Sequence, residues 1–188
     1  AYPKGKVLAH PYPKPHLEID PTLQQQALAT FHLQQNKPIL ALCPGAEFGE
    51  AKKWPAESYA TVAEQKINEG WQVWTFGSKN DFPVGETIRN LLAKEQQQQF
   101  YNLAGQTSLA QAIDLLACAS AVVTNDSGLM HVAAALNRPI VAVYGSTSPQ
   151  FTPPLADQVA IVRLGLDCSP CFQRTCKFGH YNCLKQLK

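Results

Sequence analysis

Apolar residues in this chain fall into short unbroken runs, separated by longer stretches in which they recur every three or four positions. Ile39-Leu40-Ala41-Leu42-Cys43, Gln72-Val73-Trp74-Thr75-Phe76, Ala121-Val122-Val123-Thr124 and Pro139-Ile140-Val141-Ala142-Val143-Tyr144 have the length of strands and lack polar alternation. A strand that is apolar on both faces must be buried on both, as in a parallel sheet covered by helices. The stretches between carry the helical period: residues 55–68, stopped by Gly70; residues 82–93; residues 108–118, where Ser108 supplies a cap; and residues 128–136. Asp20-Pro21 starts an earlier helix whose Leu23, Ala27 and Phe31 rows continue to about Asn36. Asn102-Leu103-Ala104 is a brief extended piece, and residues 158–163 are a candidate sixth strand. Strands alternating with helices of ten to fifteen residues predict the α/β class, a Rossmann-like, doubly wound parallel sheet.

Residues 1–20 do not share this pattern. Pro3, Pro11, Pro13 and Pro15 make them an extended linker, leaving 21–188 as the folded domain with a cysteine-rich segment over 165–188. The first residue is Ala, which suggests a processed or excised piece. With 16 basic and 14 acidic side chains the net charge is +2, too balanced for wholesale nucleic-acid binding. The local excess of Arg163, Arg174, Lys177, Lys185 and Lys188 over Asp167 is a solvated face or a contact for a membrane surface or a phosphate-bearing partner. No run approaches the length of a membrane span, so the expectation is a cytoplasmic protein, with peripheral contact at the inner membrane as an added option.

The chemistry concentrates where strands end. Thr124-Asn125-Asp126-Ser127-Gly128-Leu129-Met130-His131 takes the chain from a buried strand directly into a helix. The first free amides and the positive end of that helix point out of the carboxyl edge of the sheet, where open α/β folds hold their ligands. Asp126 brings acceptors for hydroxyl groups, Gly128 admits a ligand close to the backbone, and His131 shares the first turn. A helix cap is the plain alternative for Asp126, and a core histidine for His131. The loop Pro44-Gly45-Ala46-Glu47-Phe48-Gly49-Glu50-Ala51-Lys52-Lys53 lacks the P-loop spacing, yet the amides near Gly45 and Ala46 and the ammonium of Lys52 suit phosphate oxygens. Lys52-Lys53 is equally an ordinary solvated pair. Trp54-Pro55 reads as a buried anchor for the helix that follows. Gly77-Ser78-Lys79-Asn80-Asp81 offers polar groups to a ribose, or is simply a turn that starts a helix. Gly145-Ser146-Thr147-Ser148-Pro149 is a second glycine loop at the next strand end.

Cys168, Cys171, Cys176, His180 and Cys183 have the look of a zinc site, although free thiols or a disulfide fit the same spacing. Cys43 and Cys118 lie in apolar elements and read as core.

Taken in order, the Lys52-Lys53-Trp54-Pro55 loop, Phe76-Gly77-Ser78, the 125–131 turn and Tyr144-Gly145-Ser146-Thr147 resemble the lipopolysaccharide heptosyltransferases from Pro38 onward. That resemblance implies a GT-B glycosyltransferase of two Rossmann-like halves, of which this chain is similar to the C-terminal, donor-binding half. It implies inverting transfer of L-glycero-D-manno-heptose from ADP-heptose to the inner core of lipopolysaccharide, without cofactor or metal. By the same resemblance Lys52 stands near the donor phosphates, Asp126 holds sugar hydroxyls, Ser127 and Gly128 lie under the diphosphate, and His131 supports that turn. Lys79 falls near the adenosine ribose, where an acidic residue can also stand. The family's general base is an aspartate of the N-terminal half, which no residue here matches, so the chain alone is expected to bind ADP weakly and not to transfer sugar. Another GT-B nucleotide-sugar enzyme, such as an epimerase, and a non-enzymatic zinc module are the competing readings.

Overall fold

The computed structural model describes residues 14–187. The proline-rich opening, read as a linker, lies mostly outside them. Residues 14–20 run against the body: Leu17 N–H donates to Ala135 O at 3.0 Å, and Leu17 and Ile19 pack on the core.

Six parallel strands form one sheet: β1 (Ile39–Cys43), β2 (Gln72–Thr75), β3 (Phe100–Asn102), β4 (Ala121–Asn125), β5 (Ile140–Val143) and β6 (Val159–Val162). Their order is β3-β2-β1-β4-β5-β6, so the winding reverses between β1 and β4 at the centre. The register places Cys43 beside Thr124, which brings both strands to the same carboxyl edge.

Period-two geometry sends alternate residues to opposite faces. Ile39, Ala41, Cys43 and Val122 join one apolar cluster with α1 (Pro21–Thr30), α4 (Leu109–Leu116) and α5 (Gly128–Ala135). Leu40, Leu42 and Val123 join the other, with α2 (Ala56–Asn68), α3 (Phe82–Leu91) and the short α6 (Asn182–Lys185). Both faces are covered, as the unbroken apolar runs predict. β3 and β6 are the edge strands, and β6 is the more exposed of the two, with none of its residues fully buried.

Two boundaries differ from the sequence reading. α1 stops at Thr30, short of Asn36, because His32 turns left-handed at φ 53°. Leu33 N–H then reaches back to Leu28 O at 2.9 Å and His32 N–H to Ala29 O at 3.2 Å, a Schellman stop that uses no glycine. β3 lies at Phe100–Asn102, slightly ahead of the extended piece expected at 102–104, because Phe100 and not Leu103 pairs beside Val73.

Candidate functional site

The loops leaving β1, β2 and β4 enclose a cleft of about 400 Å³ at the carboxyl edge of the sheet. Gly45, Ala46, Lys52, Ser78, Asp126, Ser127, Gly128 and His131 line it together with Phe48, Gly77 and Asp81. Of the nine residues expected to contact a donor, Gly45, Ala46, Lys52, Ser78, Lys79, Asp126, Ser127, Gly128 and His131, only Lys79 is not part of this lining; it is exposed on the 3-10 turn Lys79–Asp81.

The centre of the cleft is an ion pair. Lys52 Nζ stands 2.8 Å from Asp126 Oδ2, and their side chains are 13% and 3% exposed. The ammonium also reaches Asp126 O at 3.3 Å, and Thr147 Oγ1 donates to Asp126 Oδ2 at 2.6 Å. Both side-chain contacts fall on Oδ2, which leaves Oδ1 for a ligand hydroxyl. An ammonium carries three hydrogens, so Lys52 keeps one for an incoming phosphate oxygen. Lys53 differs: it pairs with Glu50 at 2.7 Å on the surface, the solvated role considered for both lysines.

Asp126 does not cap α5. The N-cap position is Ser127, in extended conformation with no side-chain hydrogen bond to the helix, so the first amides of α5 open uncapped onto the cleft. Their partial positive charge and the Lys52 ammonium face one space, which suits a diphosphate. His131 is exposed on the same turn and is not a core histidine. A Cβ built on Gly128 meets no atom within 4 Å, so this glycine leaves room for a ligand and not for the protein itself.

Contacts of its neighbours hold the loop that carries Lys52 in place. Asn125, fully buried at the end of β4, accepts hydrogen bonds at Oδ1 from Trp54 N–H and Tyr59 OH, both at 3.0 Å, and donates through Nδ2 to Pro44 O. It thereby ties both ends of the β1 loop to the neighbouring strand. Trp54 packs edge-to-face on Tyr59 at 5.0 Å and anchors the start of α2. From behind, Ala51 N–H donates to Arg174 O and Ala51 O accepts from Ser146 N–H, both at 3.0 Å, so the cysteine-rich segment braces the 3-10 turn Glu50–Lys52.

At the far end, Asp81 closes the Gly77–Asp81 stretch that was read as polar groups for a ribose or as a helix-starting turn. Its carboxylate accepts from Ser78 N–H at 2.8 Å and Ser78 Oγ at 2.7 Å, so the helix-starting turn and the polar lining are one structure. A Cβ on Gly45 would stand 2.5–2.7 Å from the Asp81 carboxyl, and one on Gly77 would meet the same side chain, which explains both glycines. The capping-box spacing of Ser78 and Asp81 was the available signal.

Cys168, Cys171, Cys176, His180 and Cys183 line one small cavity with Ala51 and Ser146 behind the Lys52 turn. All six cysteines are free thiols. Among the described residues no three His, Cys, Asp or Glu side chains are arranged to hold a metal ion. Backbone N–H groups of the 178–181 turn, Tyr181 foremost, lower the Cys176 thiol, whereas burial pushes Cys118 up to about 11 and Cys43, with help from Asp81, to about 12. Cys43 is a core residue as expected, whereas Cys118 is only half-buried and packs against the core.

Residues 6–182 match the model of glycosyltransferase family 9 (heptosyltransferase). The chain is 52% identical over 158 residues to lipooligosaccharide heptosyltransferase 2 of Haemophilus influenzae, covering 82% of this chain and 46% of that protein. It is 49% identical over 169 residues to lipopolysaccharide heptosyltransferase 2 of Salmonella typhimurium, covering 87% and 49%. The solved structure of E. coli ADP-heptose LPS heptosyltransferase II superposes with a TM-score of 0.80 at 50% identity, over 84% of this chain and 47% of that one. The chain therefore spans about half the length of the relatives it matches.

Proposed function

The chain belongs to glycosyltransferase family 9, and from that membership we propose that its cleft holds ADP-heptose, as the donor-binding half of an inverting heptosyltransferase acting on the inner core of lipopolysaccharide. One observation carries the reading: the Lys52 ammonium, with a hydrogen to spare, faces the uncapped start of α5 across the same cleft. Nucleoside diphosphates are the ligand class that needs both a cation and a row of free amides.

In the proposed reaction an acceptor hydroxyl attacks the anomeric carbon while the bond to the β-phosphate breaks, and negative charge grows on the departing ADP. Lys52 and the α5 amides bind that charge more strongly as it develops, which lowers the barrier. Asp126 Oδ1 holds a sugar hydroxyl, and its charge keeps Lys52 in place. The acceptor proton goes to a base in the other half of the enzyme, so this chain by itself is expected to bind ADP and not to turn over. The reading implies a cytoplasmic enzyme meeting a membrane-borne acceptor, with Arg174, Lys177 and Lys185 available for contact at the inner membrane. Among the described residues no helix is long and apolar enough to cross a membrane.

Calorimetric titration with ADP, UDP and GDP tests the proposal. ADP should bind weakly and the other two at least about tenfold more weakly. A preference for UDP would move the assignment to another nucleotide-sugar enzyme, and heptose transfer by the chain alone would overturn the division of labour.

A further inference from the structure

A second cleft of about 320 Å³ opens on the other side of the Lys52–Asp126 pair, lined by Lys52, Asp126, Thr147, Ser148, Thr152, Phe151 and Phe172. It adjoins the first, since Lys52, Asp126 and Thr152 line both. Its walls are largely apolar. Phe151 is 76% exposed and Phe172 46%, and their rings meet edge-to-face at 5.4 Å. Large aromatic rings left in water beside a polar site mark a place where a ligand supplies the missing cover.

The backbone holds both rings in position. Phe151 N–H donates to Ser148 O at 3.1 Å within a turn that the Tyr144 hydroxyl ties down at Thr152 O. Phe172 N–H donates to Ser146 O at 2.7 Å, and Phe172 is left-handed at φ 55°, a conformation a bulky residue adopts only when its surroundings impose it. Two segments 21 positions apart are thus fastened to the same β5 loop with their rings together.

We propose that Phe151 and Phe172 form the platform for the glycosyl ring of the donor. This rests on the nucleotide-sugar reading above, in which Asp126 holds a sugar hydroxyl, and adds the surface against which the ring itself lies. A nucleotide sugar is linear: nucleoside, diphosphate, sugar. The Ser78–Asp81 end of the first cleft offers hydrogen bonds to a nucleoside, and the α5 amides with Lys52 take the diphosphate. The sugar must then leave past Asp126, and the Phe pair is what stands there. A pyranose has one face of C–H groups that covers an aromatic ring while its hydroxyls on the rim find Asp126, Thr147 and Ser148.

The test compares ADP with ADP-L-glycero-D-manno-heptose on the intact chain, by calorimetry and by saturation-transfer NMR. Phe151→Ala and Phe172→Ala should each weaken ADP-heptose by about tenfold, leave ADP within about twofold and abolish transfer from aromatic protons to the heptose ring. Phe151→Tyr should retain most of the ADP-heptose affinity. Unchanged melting temperatures would show that the variants fold, as the exposure of Phe151 leads one to expect. If ADP binds the parent chain but the substitutions affect ADP and ADP-heptose equally, or neither, the platform is refuted and the nucleotide reading survives. Transfer to a free saccharide in the absence of ADP would assign the rings to the acceptor instead and overturn the proposal. Failure of the parent chain to bind ADP would remove the nucleotide reading and this inference with it.

Discussion

Lys52 and Asp126 illustrate how one contact serves both the fold and the site. Their 2.8 Å pair is nearly buried, so removing one partner strands a charge in a place water barely reaches. Lys52→Ala should cost about 2 kcal/mol, less than for a fully enclosed pair because the cleft is open on one side. Thermal unfolding should register this as a loss of roughly 5 °C, and ADP titration as a fall in affinity of about tenfold or more. A variant with unchanged stability and ADP binding would mean that the pair is incidental. Asp114 presents the opposite case. It is a buried residue of α4, and burial, then the charge of Asp20, raises its carboxyl above the ordinary value. A group that is harder to ionise folded than unfolded withdraws stability as pH rises from its unfolded value towards its folded one; below the unfolded value the penalty is absent. Asp114→Asn should therefore raise the melting temperature at pH 7 and leave it unchanged at pH 3. The same difference at both pH values would show that the effect is packing and not charge.

At the scale of elements, α5 shows why a helix start can be left unfinished. Ser127 and Asp126 are both good capping types, yet neither side chain satisfies the helix, and the Asp126 carboxylate is held instead by Lys52 and Thr147 through Oδ2. Gly128 has open space in front of it. Gly128→Ala should then hold or slightly raise stability, since alanine is the better helix former by about 1 kcal/mol. It should also lower ADP affinity severalfold by placing a methyl where the diphosphate approaches. Loss of both folding and binding would assign the glycine to the backbone alone; differential scanning fluorimetry with and without ADP separates the two. The strands and most helices were legible in the sequence because burial on both faces and a period near 3.6 leave different marks. The end of α1 was not: Leu33 continues the apolar spacing, and nothing local announces that His32 will turn left-handed. The placement of β3 depends on its partner Val73, which lies far away in the chain.

For the whole molecule, the informative feature is the reversal of strand order between β1 and β4, which opens a crevice at the sheet's carboxyl edge. The sequence reading placed its candidates at strand ends, and that is why most of them line one cleft, with Lys79 set apart. What it missed required tertiary structure. Asp81 is visible locally as a cap, but its place between Gly45 and Gly77 is not. Phe151 and Phe172 belong to separate loops and become a pair only when both are bonded to the β5 turn. The hydrogen bond from Ala51 N–H to Arg174 O, which braces the Glu50–Lys52 turn, likewise gives the cysteine-rich segment a role that its cysteine spacing does not reveal.

The proposed function requires that the Lys52 ammonium and the first amides of α5 together receive a diphosphate. A nitrogen-15 NMR titration that compares ADP with adenosine on the intact chain decides whether they do. ADP should shift the amide resonances of Gly128 and Leu129 in a saturable way, with adenosine confined to the turn around Ser78. If ADP leaves Gly128 and Leu129 unmoved while shifting amides elsewhere, or shifts none, the diphosphate does not bind there and the account is contradicted.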